Sequence, residues 1–108
     1  MEAIRLIEGN ELHFLSFGEK NRGQSKTLIF VHGAGANGET WRRTAENLEH
    51  QHWILALDLP GHGRSAGPGS STIERYSTQV EELLDQLGEK EVVVVGNSMG
   101  GALALQVA

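Results

Sequence analysis

The chain has 108 residues, with 9 Lys and Arg against 14 Asp and Glu, for a formal net charge of −5. That length is one domain at most, and the acidic balance argues against a protein that tracks nucleic-acid phosphates, which needs a basic face. Cysteine is absent, which removes disulfide frameworks and zinc–thiolate sites and fits a reducing, cytoplasmic compartment.

The first stretch carries charges at Glu2, Arg5 and Glu8, so it holds no signal-peptide core, and no apolar run approaches a membrane span. It reads instead as two strands, Ala3–Ile7 and Glu11–Phe17, turning around Gly9-Asn10. Alternating apolar residues (Ile4 and Leu6, then Leu12 and Phe14) suit a hairpin with one wet face. After a polar segment, Thr27–Val31 is apolar almost throughout, as in a strand buried on both faces. Trp41, Ala45 and Leu48 are spaced for a short amphipathic helix, and Trp53–Leu57 is a further buried strand ending at Asp58. Ser71-Thr72-Ile73-Glu74 fits a capping box that opens a helix with the stripe Ile73, Tyr76, Val80, Leu83, Leu84 and Leu87, closed by Gly88. Glu91–Val95 is a fourth buried strand, and Met99–Ala108 begins another helix. Strands alternating with helices predict an α/β fold with a mostly parallel sheet.

Glycine is the anomaly of composition: 14 of 108 residues, about twice the usual share of roughly 7%. Ten of the 14 fall at 33–38, 61–69 and 96–101, each directly after a buried strand, the edge where open α/β sheets bind ligands. The last cluster, Gly96-Asn97-Ser98-Met99-Gly100, is G-x-S-x-G between a strand and a helix. This nucleophile-elbow pattern puts a serine on a tight turn, with glycines where side chains would collide. The first cluster offers a rival. Gly33, Gly35 and Gly38 spell G-x-G-x-x-G, and Asp58 lies twenty residues past Gly38, as in a dinucleotide site. A preceding hairpin, the loop from Leu59 to Ser65 and a second glycine-rich turn with a serine at its apex are features that reading leaves unexplained.

In order, HGAG, DLPGHGRS and GNSMGG resemble the N-terminal half of an α/β-hydrolase-fold enzyme, most similar to its carboxylesterase and carbon–carbon-bond hydrolase branches. The resemblance implies that residues 1–108 are the N-terminal half of such a domain, ending inside the helix after the elbow. It implies Ser98 as nucleophile, with the backbone N–H groups of Ala34 and Met99 as the oxyanion hole. Serine at the apex, where some branches carry aspartate, disfavours dehalogenase or epoxide hydrolase chemistry. Asp58, Gly61 and Gly63 match a structural loop and receive no catalytic role.

A serine hydroxyl needs an adjacent base, and the family order is serine, acid, histidine. None of the ten residues after Ser98 is Asp, Glu or His. Of the earlier histidines, His32 reads as a loop-ordering residue and His62 as a solvated turn residue; a His32/His62/Asp58 metal site has no supporting ligand spacing. Ala102–Ala108 carries no helix stop, and the resemblance places a further strand beside Glu91–Val95, whose valine edge would otherwise be bare. The expectation is the nucleophile-bearing part of a serine esterase acting on a small acyl substrate without cofactor or metal, completed by a C-terminal segment or second chain. The alternatives are a non-catalytic folding or interaction module and, less favoured, the dinucleotide-binding domain.

Overall fold

A computed structural model describes all residues except Met1, Glu8, Ala34, 66–68, Ser70, Ser71, Lys90 and Ala108. Five strands form one mixed sheet: β1 (Glu2–Ile7), β2 (Asn10–Phe17), β3 (Thr27–Val31), β4 (Ile54–Leu57) and β5 (Val92–Gly96), in the order β1-β2-β4-β3-β5. β2 runs antiparallel to both of its neighbours, β1 and β4, whereas β3 runs parallel to both β4 and β5. Three helices follow the parallel strands: α1 (Arg42–Leu48), α2 (Ile73–Leu87) and α3 (Met99–Val107).

Alternation in each central strand feeds two cores. Leu12, Phe14, Ile29, Val31, Leu55 and Leu57 pack with the α2 stripe and Leu103 of α3. Their neighbours Leu15, Phe17, Phe30, Ile54 and Ala56 pack with Ala45 of α1. Both faces of β3 and β4 are therefore apolar because both are covered, as parallel strands between helix layers require.

Four local expectations need correction. Ile4 and Leu6 do not share the inner face with Leu12 and Phe14. The tight turn at Gly9 (φ +82°) pairs Ile7 with Asn10, which sets Ile4 opposite His13 and Leu6 opposite Glu11. A period of two then sends Ala3 and Ile7 inward and leaves Ile4 and Leu6 exposed. The short helix after β3 begins as a 3₁₀ turn, Gly38–Trp41, and is α-helical only from Arg42. The α2 cap is Thr72, whose side chain accepts from the Arg75 N–H, a bond worth about 1 kcal/mol; Ser71, the expected cap, lies outside the described residues. Gly88 does close α2, at φ +72°.

The fourth correction concerns β5. Its unpaired outer side was expected, but it is not the fully buried strand read from its valines: Val93 and Val95 are 40% and 36% exposed on the α1 side, while Val92 and Val94 pack inward. The opposite edge is finished differently. The carbonyls of Ile4 and Leu6 in β1 accept from Arg5 and from Gln86 of α2, at 3.1 and 2.7 Å. Occupied carbonyls and a charged neighbour blunt one edge; apolar valines mark the other.

Candidate active site

The parallel strands end on one rim, and each of the three glycine loops starts from it. β5 ends at Gly96 and α3 starts at Met99, leaving Asn97 and Ser98 to make the turn. Ser98 has φ +57°, the single positive φ among described non-glycine residues. An L-residue held in that region costs on the order of 1–2 kcal/mol, so the surrounding structure must impose it.

Close backbone approach does so. A Cβ on Gly96 would overlap the Gly100 carbonyl, and one on Gly100 would overlap the Val31 carbonyl and lie 2.7 Å from the His32 oxygen. Without those carbons α3 folds back against the end of β3. The Asn97 N–H reaches the Val31 carbonyl at 3.2 Å, and the Asn97 and Ser98 carbonyls accept from Gly100 and Gly101 at 2.9 Å. Ser98 is exposed at the start of α3, beside the positive end of the helix dipole. The Met99 N–H belongs to this turn. An open groove of about 770 Å³, mouth included, runs past Ser98 along Gly33, Ala36 and Trp41.

The loop after β3 borders Ser98 from the other side. A Cβ on Gly33 would lie 3.4 Å from the Ser98 Cβ and 3.9 Å from its Oγ, which sets the start of this loop directly against the serine. Ala34, expected to donate to an oxyanion, lies outside the described residues.

His32 is fully buried and its imidazole Nε2 accepts the Leu59 N–H at 3.0 Å. That bond leaves the proton on Nδ1, which donates to the Gly33 carbonyl at 2.7 Å. Burial holds its pKa below 6.5; His62 pushes the same way, while the Gly33 bond and Asp58 oppose. A neutral imidazole with both nitrogens engaged ties the β3 loop to the β4 loop and has no lone pair left to serve Ser98.

His62 is not the solvated residue expected. Its ring is half-buried with its centroid 4.9 Å from that of His32 and 6.3 Å from that of Tyr76, and its Nδ1 lies 3.2 Å from the Pro60 carbonyl. Sequence offered no signal for that stack, because Tyr76 lies fourteen residues away on α2. The Asp58 carboxylate is likewise occupied, accepting the Gly38 N–H at 2.6 Å and the Arg64 N–H at 3.0 Å. An acid engaged in this way does not serve a ribose, which removes the main support for the dinucleotide alternative. Ser65, which sequence reasoning passed over, donates to the Asp58 carbonyl and accepts the His13 N–H at 2.8 Å. Among the described residues no hydrogen bond joins Ser98 to a base, and no group of three or more His, Asp or Glu is placed to hold a metal ion.

Residues 26–108 match the family described as the alpha/beta hydrolase fold, and the chain belongs to it. Relatives include lipase LipV of Mycobacterium tuberculosis, 39% identical over 98 residues, spanning 91% of this chain and 36% of the lipase. The pimeloyl-acyl-carrier-protein methyl ester esterase of Vibrio cholerae is 36% identical over 89 residues, covering 80% of this chain and 32% of the esterase. Among solved structures, a membrane phospholipase A described as a bacterial virulence factor superposes with a TM-score of 0.90 at 30% identity, over 99% of this chain and 34% of its own. The chain spans between 23% and 36% of the length of the curated relatives it matches. No helix among the described residues is long and apolar enough to cross a membrane.

Proposed function

We propose that this chain carries the nucleophile of a serine hydrolase that cleaves acyl esters through an acyl-enzyme. The observation that carries the reading is Ser98, held at φ +57° and exposed at the first turn of α3. Strain of this kind persists only where surrounding contacts over-determine it, and it is concentrated at functional sites. The lipase and esterase relatives favour an ester as substrate.

In this mechanism the Ser98 hydroxyl attacks the ester carbonyl as a base removes its proton. The carbonyl oxygen takes up negative charge, and the Met99 and Ala34 N–H groups donate to it. Donors aimed at that oxygen are worth about 10²- to 10³-fold in rate each. Collapse of the tetrahedral intermediate expels the alcohol, which receives the proton from the base, and water then hydrolyses the acyl-enzyme. His32 is unavailable as the base, so the histidine and its acid partner come from a complementary segment outside these 108 residues.

The test is a fluorophosphonate probe applied to the complete polypeptide that supplies the base. Stoichiometric labelling is expected, with the added mass on the peptide containing Ser98 and none in Ser98→Ala. Failure of the parent to label would leave the elbow as scaffold and the chain as a non-catalytic module.

A further inference from the structure

The loop between β3 and the Gly38–Trp41 turn borders Ser98, and its described residues show how each end is tied. At its start, His32 grips the Gly33 carbonyl at 2.7 Å, and the same carbonyl accepts the Ala36 N–H at 3.1 Å. At its far end the Gly38 N–H is held by Asp58 at 2.6 Å. The loop has little room to shift there, since a Cβ on Gly38 would come within 2.7 Å of the Ala56 carbonyl.

Asp58 is itself fixed on every side. Its second carboxylate oxygen accepts the Arg64 N–H at 3.0 Å. Its own N–H donates to the His13 carbonyl at 2.9 Å, and its carbonyl accepts from Ser65, which is anchored by the His13 N–H. Gly63, at φ +51°, makes room for the carboxylate: a Cβ there would lie 2.5 Å from its carbon. The central sheet thus extends, through one side chain, to the loop that borders Ser98.

We propose that Asp58 is a positioning residue for the reaction. Acting through the Gly38 N–H, it sets the distance between the oxyanion loop and Ser98 without touching the substrate. This rests on the reading of Ser98 as nucleophile. A carboxylate suits the task because it accepts two backbone N–H groups from different loops at once, and a charge-assisted bond is stronger than a neutral one. Loss of that tie displaces an oxyanion donor, which lowers transition-state stabilisation and leaves ground-state binding intact.

The experiment uses the complete polypeptide and 4-nitrophenyl butyrate, with active sites counted by fluorophosphonate stoichiometry. Asp58→Ala removes both acceptors, Asp58→Asn keeps one, and Gly63→Ala displaces the carboxylate without removing it. Expected is a fall in kcat per titrated site of about 10- to 100-fold for Asp58→Ala and Gly63→Ala, with KM within about twofold. Asp58→Asn should recover part of the loss. A purely structural role would lower the melting temperature and the number of titratable sites but leave kcat per site within about twofold of the parent, and that result overturns the proposal. If the first two variants fail to fold, the isosteric Asp58→Asn decides by the same criterion. Labelling that persists in Ser98→Ala would instead overturn the reading of the nucleophile.

Discussion

The two loop systems on the rim are held by opposite means. The elbow after β5 is closed by the absence of side chains: carbonyls of β3 and α3 occupy the space where Gly96 and Gly100 would carry a Cβ. The loops after β3 and β4 are closed by the presence of side chains, with His32, Asp58 and Ser65 each bridging backbone groups distant in sequence. The first arrangement fails when an atom is added and the second when one is removed. Strain can therefore be concentrated at Ser98, because a steric enclosure does not yield to it, while the neighbouring loop is set by hydrogen bonds that fix direction.

The largest effect should come from adding one carbon to the elbow. Gly100→Ala drives a Cβ into the Val31 carbonyl, an overlap that only backbone movement relieves, and should cost about 4 kcal/mol or more, at the exceptional end for a single substitution. That is a large share of the roughly 5–15 kcal/mol holding a domain together. Urea unfolding of the complete polypeptide measures it; a loss below about 1 kcal/mol would mean that the elbow is not sterically closed.

Removing atoms from the tied loops should cost less. His32→Ala leaves the buried Leu59 N–H without its acceptor and opens a cavity, together about 2–4 kcal/mol in the same experiment. The pH dependence of stability is a finer probe. The folded state keeps His32 neutral below its ordinary value of 6.5, so on acidification the unfolded chain takes up a proton that the folded chain refuses. Stability should fall as pH drops below 6.5, by at most about 1.4 kcal/mol per pH unit from this group, and level off below the folded-state pKa. His32→Gln should lose that part of the slope. An unchanged slope between pH 6.5 and 5 would show that the imidazole is not held neutral.

The smallest effect has the opposite sign. Ser98→Gly removes the only described side chain held at positive φ, and should raise stability by about 0.5–1 kcal/mol while abolishing fluorophosphonate labelling. Calorimetry on the variant would register a higher melting temperature. A lower one would mean that the serine conformation is not strained.

Much of the architecture was legible because its causes are local. Apolar periodicity located all five strands and three helices to within a residue or two, save where the helix after β3 tightens into a 3₁₀ turn. G-x-S-x-G marked the elbow because the turn needs glycine at those offsets whatever the rest of the fold. Gly33 could be placed near Ser98 only because both follow parallel strands at one sheet edge, an order shared with a known family, since nothing in the local sequence brings residues 65 positions apart together.

What the sequence determined by itself, then, was the order of the elements, the glycine-lined turns and the residue at the apex of the elbow, all set by steric rules acting over a few residues. Tertiary structure decided which face of β1 is buried, because one turn geometry at Gly9 fixes the register of the whole hairpin. It decided that Asp58 is a tie between loops, with Gly38 twenty residues before it and Arg64 six after. It also turned His62 from a solvated residue into part of a ring stack. Each of these depends on partners brought together by packing, and pairing across a folded chain leaves no periodicity in the sequence for a local rule to read.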